Sequence, residues 1–404
     1  MTKIAYFAIM HLSNGNEGYL TIYVLGHYRP GAADGLAEFN YQNVKLLKDY
    51  FDFQFIEFDQ SKEQDHYTSY NSDSVLIHSF GSKNLPFYKL SLLFKNWLKN
   101  RNFSDSVFHL NHIYNLNNYL VARLLYQARI PYLITPHDSY VYCNAFKSEK
   151  SLIKRVYRDL FVHFIDKYVF DHASLIHALT NQCEPCLRLL TDSPIMVVPN
   201  QVSDMNLPLD LSVIKSQVCF IGRSDIYQKG IDRSLKGLNL YKKSLNDTPG
   251  IVFKIVGPAD ASSDILRRKL CKELDLEVGE DVIFTGRVDE VERNSIFKES
   301  RAYIHLSRFE GFGISVIQAL SAYKPVIVSS QVPTSDTIRA YKAGYVVETD
   351  DDIAKALFEV FAMTDEEYIA MANNARLCYE ENFNPGVVGP QLIALYKSAA
   401  STLE

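Results

Sequence analysis

Short apolar runs alternate with longer segments of helical spacing along the 404-residue chain. Several of these runs are continuously apolar, which is typical of strands covered on both faces of a parallel sheet. Between them, apolar residues recur at helical spacing, as in residues 231–245 and 353–361. The pattern predicts an α/β fold of doubly wound sheets. The predicted strands are Lys3–Met10, Phe53–Phe58, Ser74–His78, Val107–Leu110, Tyr132–Thr135, Leu175–Ala178, Ile195–Val198, Gln217–Ile221, Val252–Val256, Asp281–Phe284, Ala302–Leu306 and Pro325–Ser329.

Turn-forming residues at 199–208 interrupt this alternation near the middle of the chain. We therefore expect two Rossmann-like domains, residues 1–200 and 201–385, with a C-terminal helix at 386–404 that returns to the first domain. The two halves differ in charge, +1 for residues 1–200 and −6 for 201–404. Ligands of such sheets bind at the carboxyl ends of the strands, so two facing sheets predict a site in the cleft between them.

Composition excludes several classes of protein. Hydrophobic residues make up 47% and charged residues 22%, which is ordinary for a globular chain, and the net charge of −5 argues against a nucleic-acid binder. We expect no signal peptide, no transmembrane helix and a cytoplasmic location. Attachment to the inner face of the membrane stays an alternative. The six scattered cysteines fit reduced thiols.

A glycine-containing turn follows the predicted strand that ends at Leu306. It carries Glu310, Gly311, Phe312 and Gly313 and opens a helix. Free backbone N–H groups at the start of a helix attract anions, so this turn is a candidate phosphate site. A turn that is glycine-rich only for its backbone geometry is the alternative.

A second turn follows the strand that ends at Ile221. Gly222 and Arg223 begin this turn, and Lys229 and Gly230 end it just before a helix. Both cations would reach one anionic group at the carboxyl edge of the sheet, and charge-assisted contacts to a diphosphate are strong. Two solvated surface cations are the alternative.

Together these turns resemble the retaining nucleotide-sugar glycosyltransferases of glycosyltransferase family 4, which have the GT-B fold. The resemblance rests on G-R-x(5)-K-G at 222–230, F-K-I-V-G at 253–257, V-I-F-T-G at 282–286, E-G-F-G at 310–313 and K-P-V-I at 324–327. It implies that Arg223 and Lys229 hold the donor diphosphate and that Glu310 binds hydroxyls of the transferred sugar. It also implies that Gly311, Phe312, Gly313 and Ile314 offer backbone amides, and that Arg287 and Val288 line the base pocket.

One position departs from the pattern of the family. The family has E-x(7)-E, and the second glutamate usually holds the ribose hydroxyls; here Gln318 stands in its place. A glutamine cannot receive both hydroxyls as a carboxylate does, so we expect a loss of about 1 kcal/mol of donor binding. Because Glu310 is kept, we interpret the chain as an active enzyme.

The first half resembles the family less closely. The resemblance implies that His137 lies near the donor sugar and phosphate, and it makes His109 and Asp138 weaker candidates on the acceptor side. The glycine loop of the family would correspond to Gly31–Gly35, before a helix from Leu36 to Tyr50. Residues 11–30 would then be an insertion, with a hairpin through Tyr19–Leu25.

Two further segments invite competing interpretations. Residues 83–101 carry five cations and no acid among large apolar residues, which predicts a basic amphipathic helix. Such a helix contacts either an anionic membrane or the core. Asp350–Asp352 could be taken for an acidic metal motif, but we interpret it as a helix cap.

The sequence therefore predicts a retaining, metal-independent glycosyltransferase with no tightly bound cofactor. Its donor would be a nucleotide sugar, with a UDP-sugar favoured over GDP-mannose, and its acceptor a glycan or lipid-linked hydroxyl in surface polysaccharide or glycoconjugate synthesis. A non-catalytic binding subunit of a glycan assembly and a sugar-nucleotide epimerase of the same fold stay open as alternatives.

Overall fold

The computed structural model of the protein describes residues 19–30, 35–86, 89–137, 151–244 and 250–401. The first half forms a sheet of eight strands in the order β3-β4-β2-β1-β5-β6-β7-β8. All neighbours in it are parallel except β3, which runs antiparallel to β4. Its strands are β1 (Thr21–Leu25), β2 (Asp52–Asp59), β3 (Tyr67–Ser72), β4 (Val75–Gly81), β5 (Ser106–Asn111), β6 (Tyr132–Thr135), β7 (Leu175–Ala178) and β8 (Ile195–Val197).

The second half forms a fully parallel sheet of six strands in the order β11-β10-β9-β12-β13-β14. The two sheets confirm the predicted α/β architecture of two Rossmann-like units. The strands are β9 (Gln217–Ile221), β10 (Val252–Val256), β11 (Val282–Gly286), β12 (Ala302–His305), β13 (Val326–Ser329) and β14 (Gly344–Val347).

Helices connect these strands and cover the sheets. In the first half they are α1 (Gly35–Leu47), α2 (Leu92–Lys99), α3 (Leu116–Gln127), α4 (Leu152–Phe161), α5 (Lys167–Asp171) and α6 (Glu184–Arg188). A π-helical turn, Val162–Asp166, joins α4 to α5. In the second half they are α7 (Ile231–Ser244), α8 (Ala261–Glu273), α9 (Glu290–Glu299), α10 (Ile314–Ser321), α11 (Ser335–Tyr341), α12 (Asp350–Ala362), α13 (Asp365–Asn382) and α14 (Pro385–Ala400).

The C-terminal helix α14 packs against the first sheet. Leu392 and Tyr396 of α14 share a buried core with Phe53 of β2 and Val107 of β5. Pro385 at the start of this helix fits its first turn, where a backbone N–H has no partner within the helix. The exact limits of the two domains, 1–200 and 201–385, stay a prediction.

The first described strand differs from what we expected. Thr21–Leu25 is a central strand that pairs in parallel with both β2 and β5, so the predicted hairpin through Tyr19–Leu25 is wrong. Four of its five residues are buried, and the threonine and β-branched residues of this run suit such a position. The predicted strand Lys3–Met10 lies outside the described residues.

Two other segments also correct or refine the predictions. The helix expected over residues 83–101 extends only from Leu92 to Lys99, and its Phe94, Trp97 and Leu98 are buried in the core. At residues 350–352, Thr349 is the actual N-cap, and Asp352 completes a capping box with it. Cys186 is disulfide-bonded, so the expectation of uniformly reduced thiols fails at this cysteine.

Candidate active site

The two turns predicted from the sequence lie side by side, because β9 and β12 are neighbouring strands. Arg308 ties the turns together. Its guanidinium donates to the carbonyl of Tyr227 at 2.7 Å and to both carboxylate oxygens of Asp232 at 2.8 and 2.6 Å. A planar guanidinium engaged in this way fixes orientation as well as position, so the two turns form one rigid unit.

Gly230 explains how closely the turns approach each other. Its φ is +66°, and a Cβ at this position would lie only 2.0 Å from the carbonyl oxygen of Leu306. Only glycine adopts this conformation without strain and leaves room for the neighbouring backbone. The glycine at this position in the sequence therefore brings Lys229 next to the second turn.

Glu310 lies at the centre of the site and is held by three groups. Its Oε2 atom accepts from Lys229 Nζ at 2.6 Å, from His305 Nε2 at 2.9 Å and from the Ser307 hydroxyl at 3.2 Å. Only about 12% of the Lys229 side chain and 15% of the Glu310 side chain are exposed. A carboxylate with these partners is fixed in position.

Glu310 stays ionised across the physiological pH range. Burial opposes its ionisation, but the hydrogen bond from His305 and the positive charge of Lys229 outweigh this effect and hold its pKa well below the ordinary value. Burial also lowers the pKa of His305, although Glu310 opposes that shift. His305 is therefore neutral, with the proton on Nε2 facing the carboxylate.

The N-terminus of α10 opens directly beside Glu310. Gly313 is its N-cap with a φ of +89°, and no side chain caps the free N–H groups there. A helix N-terminus carries a partial positive charge and suits an anion. The segment Gly311–Ile314 thus adds backbone donors to the charges of Arg223 and Lys229.

A cavity of about 590 Å³ connects these groups to the first half of the chain. Both halves of the chain contribute to its walls, which confirms that the two units face each other across a shared cleft. Its lining includes ten of the predicted site residues, and they are Gly222, Arg223, Lys229, Glu310, Gly311, Phe312, Gly313, Ile314, Gln318 and His137.

His137 is the predicted residue that enters the cavity from the N-terminal side. Its backbone adopts a φ of +56° after β6, and its Nε2 lies 2.8 Å from Asn111 Oδ1. An amide oxygen only accepts, so Nε2 carries the proton and Nδ1 is left as an acceptor. Burial, with a smaller contribution from His112, lowers its pKa well below the ordinary value, so the ring is neutral.

His109, a weaker candidate from the sequence, is not among the residues that line the cavity. It is buried, and its two ring nitrogens contact Tyr396 Oη at 3.0 Å and Thr135 Oγ1 at 2.7 Å. Thr135 in turn contacts His177 at 2.8 Å. This network joins α14 to the first sheet, so we assign His109 a structural role.

The other predicted residues that the structure describes do not line the cavity. Arg287 is exposed after β11, and Val288 packs against a core cluster of the second sheet. Gly35 is the first residue of α1, one position before the cavity residue Leu36. Gly31 and Asp138 lie outside the described residues.

Several cavity residues were not singled out from the sequence. They include His305, Glu38, Phe39 and Arg293. The sequence position of His305 could have marked it as a site residue, because it ends β12 five residues before Glu310. Nothing in the spacing of the other three separates them from ordinary helix residues.

Within the described ranges, no group of three or more His, Cys, Asp or Glu side chains is placed to hold a metal ion. None of the helices in the described part of the chain is long and apolar enough to cross a membrane. Metal independence stays a prediction.

Part of the chain is similar to known glycosyltransferases in sequence. Residues 212–377 match the family described as Glycosyl transferases group 1. A GDP-Man:Man(3)GlcNAc(2)-PP-Dol alpha-1,2-mannosyltransferase of Dictyostelium discoideum is 31% identical over 136 residues, which are 33% of this chain and 26% of that relative. An uncharacterized glycosyltransferase of Methanocaldococcus jannaschii is 27% identical over 42% of each chain. The chain thus spans less than half the length of these relatives.

Solved structures match over nearly the whole chain. Sucrose-phosphate synthase from Thermosynechococcus elongatus has a TM-score of 0.68 at 18% identity, covering 93% of this chain and 98% of its own. HepE of Anabaena, in complex with UDP and glucose, has a TM-score of 0.66 at 17% identity, covering 94% of this chain and 100% of its own. The chain therefore has the GT-B fold of these glycosyltransferases, and its segment 212–377 is similar to the group 1 family.

Proposed function

We propose that the protein is a glycosyltransferase that takes a sugar from a nucleotide-sugar donor. One observation carries the proposal: a largely buried, ionised Glu310 lies beside Lys229 and an uncapped helix N-terminus in a cleft lined by both halves of the chain. The cations and the helix N-terminus suit a diphosphate, and the carboxylate suits the hydroxyls of a sugar. The similarity of residues 212–377 to group 1 glycosyl transferases supports the same conclusion.

The mechanism that we propose retains the configuration of the sugar. The bond between the anomeric carbon and the diphosphate oxygen breaks, and the acceptor oxygen bonds to that carbon from the same face. The acceptor proton passes to the departing phosphate oxygen. Arg223, Lys229 and the amides of residues 311–314 would stabilise the charge that develops on the diphosphate, with no metal ion required.

Lys229 has to change partners in this mechanism. In the structure its ammonium contacts Glu310, whereas a bound diphosphate would offer it a stronger negative charge. His305 and Ser307 still hold Glu310 when Lys229 turns away, so the carboxylate keeps its place for the sugar hydroxyls.

The neutral ring of His137 is placed to help on the opposite wall of the cavity. Because Asn111 Oδ1 accepts a hydrogen bond from the protonated Nε2, Nδ1 would accept a hydrogen bond from a hydroxyl of the donor sugar or of the acceptor. Asn111 is thus a positioning residue that selects the tautomer.

Two proteins similar to this chain suggest different nucleotides for the donor sugar. The Dictyostelium relative is named for GDP-Man, whereas HepE was solved with UDP. We propose a UDP-sugar as the donor, with GDP-mannose as the alternative. Surface polysaccharide or glycoconjugate synthesis is the process that we propose for the product.

The experiment is nucleotide release from a panel of UDP-, GDP- and ADP-sugars in the presence of EDTA, with Glu310→Ala alongside. We expect slow hydrolysis of one donor that the variant loses. Glu299→Ala is the matched control, because Glu299 is also paired with a lysine, at 2.9 Å, but does not line the cavity. Equal release by wild type and Glu310→Ala would overturn the proposal.

A non-catalytic binding subunit is the second candidate, and Gln318 in the cavity favours it. Donor binding without any release, even with a range of acceptors, would favour this alternative over an enzyme.

A further inference from the structure

Helix α4 exposes a continuous apolar surface. Leu152, Ile153, Val156, Tyr157 and Leu160 are between 49% and 83% exposed, and Phe164 in the following π-turn is 64% exposed. At 3.6 residues per turn, the five side chains on α4 fall within an arc of about 140°. Scattered exposed apolar residues are ordinary, but a contiguous patch of this kind marks an interaction site.

No side chain of α4 is buried in the protein. Most helical stability in proteins comes from packing of an apolar face, and the apolar side of α4 is exposed. Among the residues that the structure describes, the helix is anchored at its C-terminal end, where Val162 and Asp166 of the π-turn and Val169 and Phe170 of α5 are buried.

The opposite side of the helix is basic. Lys154, Arg155 and Arg158 lie outside the apolar arc, with Asp159 as the one acid on α4. Strong segregation of apolar from basic residues along a short exposed helix is typical of helices that lie in the surface of an anionic bilayer. Each cation near such a surface strengthens the attraction roughly 5-fold.

We propose that α4 and Phe164 form a membrane-docking surface that binds anionic phospholipid. This surface replaces residues 83–101, where the sequence alone suggested membrane contact and where Phe94, Trp97 and Leu98 of α2 are buried instead. The apolar arc would lie among the acyl chains near the headgroups, and the three cations would face the phosphates.

The docking surface lies close to the cleft. The ring of Phe161, the last residue of α4, is 5.7 Å from the ring of Tyr114. His112, two residues before Tyr114, lines the cavity. Docking through α4 would therefore bring the cleft near the bilayer, where a lipid-linked acceptor would be presented. The docking itself does not depend on the proposed activity.

The test is flotation of the full chain with vesicles of phosphatidylcholine alone and with vesicles that also contain anionic phosphatidylglycerol. We expect binding only to the anionic vesicles, and weaker binding at high salt. Ile153→Asp/Leu160→Asp should weaken partitioning by at least about 10-fold. Lys154→Glu/Arg155→Glu should weaken it by roughly the same factor.

The matched control is Leu189→Asp, which changes an apolar residue that is 82% exposed and lies outside α4. It should bind vesicles like the wild type. A Tyr157→Trp variant reports the position of the helix, because the sole native tryptophan, Trp97, is buried in the core. Its emission should shift to the blue only with anionic vesicles.

Three results would overturn the proposal. The first is no binding to any vesicle by the folded wild type. The second is a wild-type dimer that Ile153→Asp/Leu160→Asp converts to a monomer, which would assign the surface to a second copy of the chain. The third is a lowered thermal midpoint in that variant, which would show that another part of the same chain covers α4.

Discussion

Removing the charge of Glu310 should have opposite effects on nucleotide binding and on turnover. Glu310→Gln keeps the shape of the side chain but ends its ion pair with Lys229, whose ammonium lies 2.6 Å away. It also removes a negative charge from the place where the diphosphate binds. Both changes favour an incoming diphosphate, because Lys229 is then available and the repulsion is gone.

The structure allows the size of this effect to be worked out. At 2.6 Å and an effective dielectric constant of about 20, the attraction between the two charges is roughly 6 kcal/mol before desolvation. Desolvation offsets most of it in a largely buried pair, which leaves about 1.5–3 kcal/mol for a charged hydrogen bond. In the wild type an incoming diphosphate must displace this contact, and its own contact with Lys229 recovers only part of the lost free energy. UDP or GDP should therefore bind about 10-fold more tightly to the variant.

The assay is calorimetric titration with UDP and GDP, together with turnover of the donor found in the panel. Nucleoside diphosphates lack the sugar, so they report only on the phosphate and nucleoside contacts. Turnover should fall by about 100-fold or more, since the charged contact to the sugar is lost. Weaker diphosphate binding by Glu310→Gln, or the same tightening in Glu299→Gln, would refute the reasoning.

Three further predictions follow from particular contacts. Gly230→Ala should lower the free energy of unfolding by about 2 kcal/mol or more, and with it the thermal midpoint, because the added Cβ would meet Leu306. Gly250→Ala should leave the midpoint unchanged, because a Cβ there would have no atom within 4 Å. Gln318→Glu should tighten donor binding by about 5-fold in calorimetry, roughly one hydrogen bond, and an unchanged affinity would show that residue 318 does not reach the ribose. Burial lowers the pKa of His177 to about 4, so the unfolded chain binds a proton at this residue at higher pH than the folded chain does. The free energy of unfolding should therefore fall as the pH drops from about 6.5 towards 4. In urea titrations, a folded His177→Gln variant should lose less stability over this range.

Much of the second half was predictable from the sequence. Strands β9 and β10 have the predicted limits, because each is a mainly apolar run with glycine directly after it. The turns after β9 and β12 combine glycine with Arg223, Lys229 and Glu310, residue types that carry chemistry on their own. Parallel neighbours then bring these turns together without further information.

The first half was less predictable for physical reasons. Thr21–Leu25 is short and contains polar atoms, so its central place in the sheet depends on pairing with β2 and β5, which a local pattern does not show. His109 lies within a predicted strand and His137 follows one, yet His109 is buried against Tyr396 and His137 faces the cavity. Only the three-dimensional contacts separate the two roles.

The measurement that tests the central claim most directly is calorimetric titration of the wild-type chain with intact nucleotide sugars in EDTA. The account predicts saturable binding of one donor at a single site. It also predicts that this binding is lost in Arg223→Ala/Lys229→Met and retained in Glu299→Gln. Absence of binding by the folded wild type for every UDP-, GDP- and ADP-sugar would contradict the account.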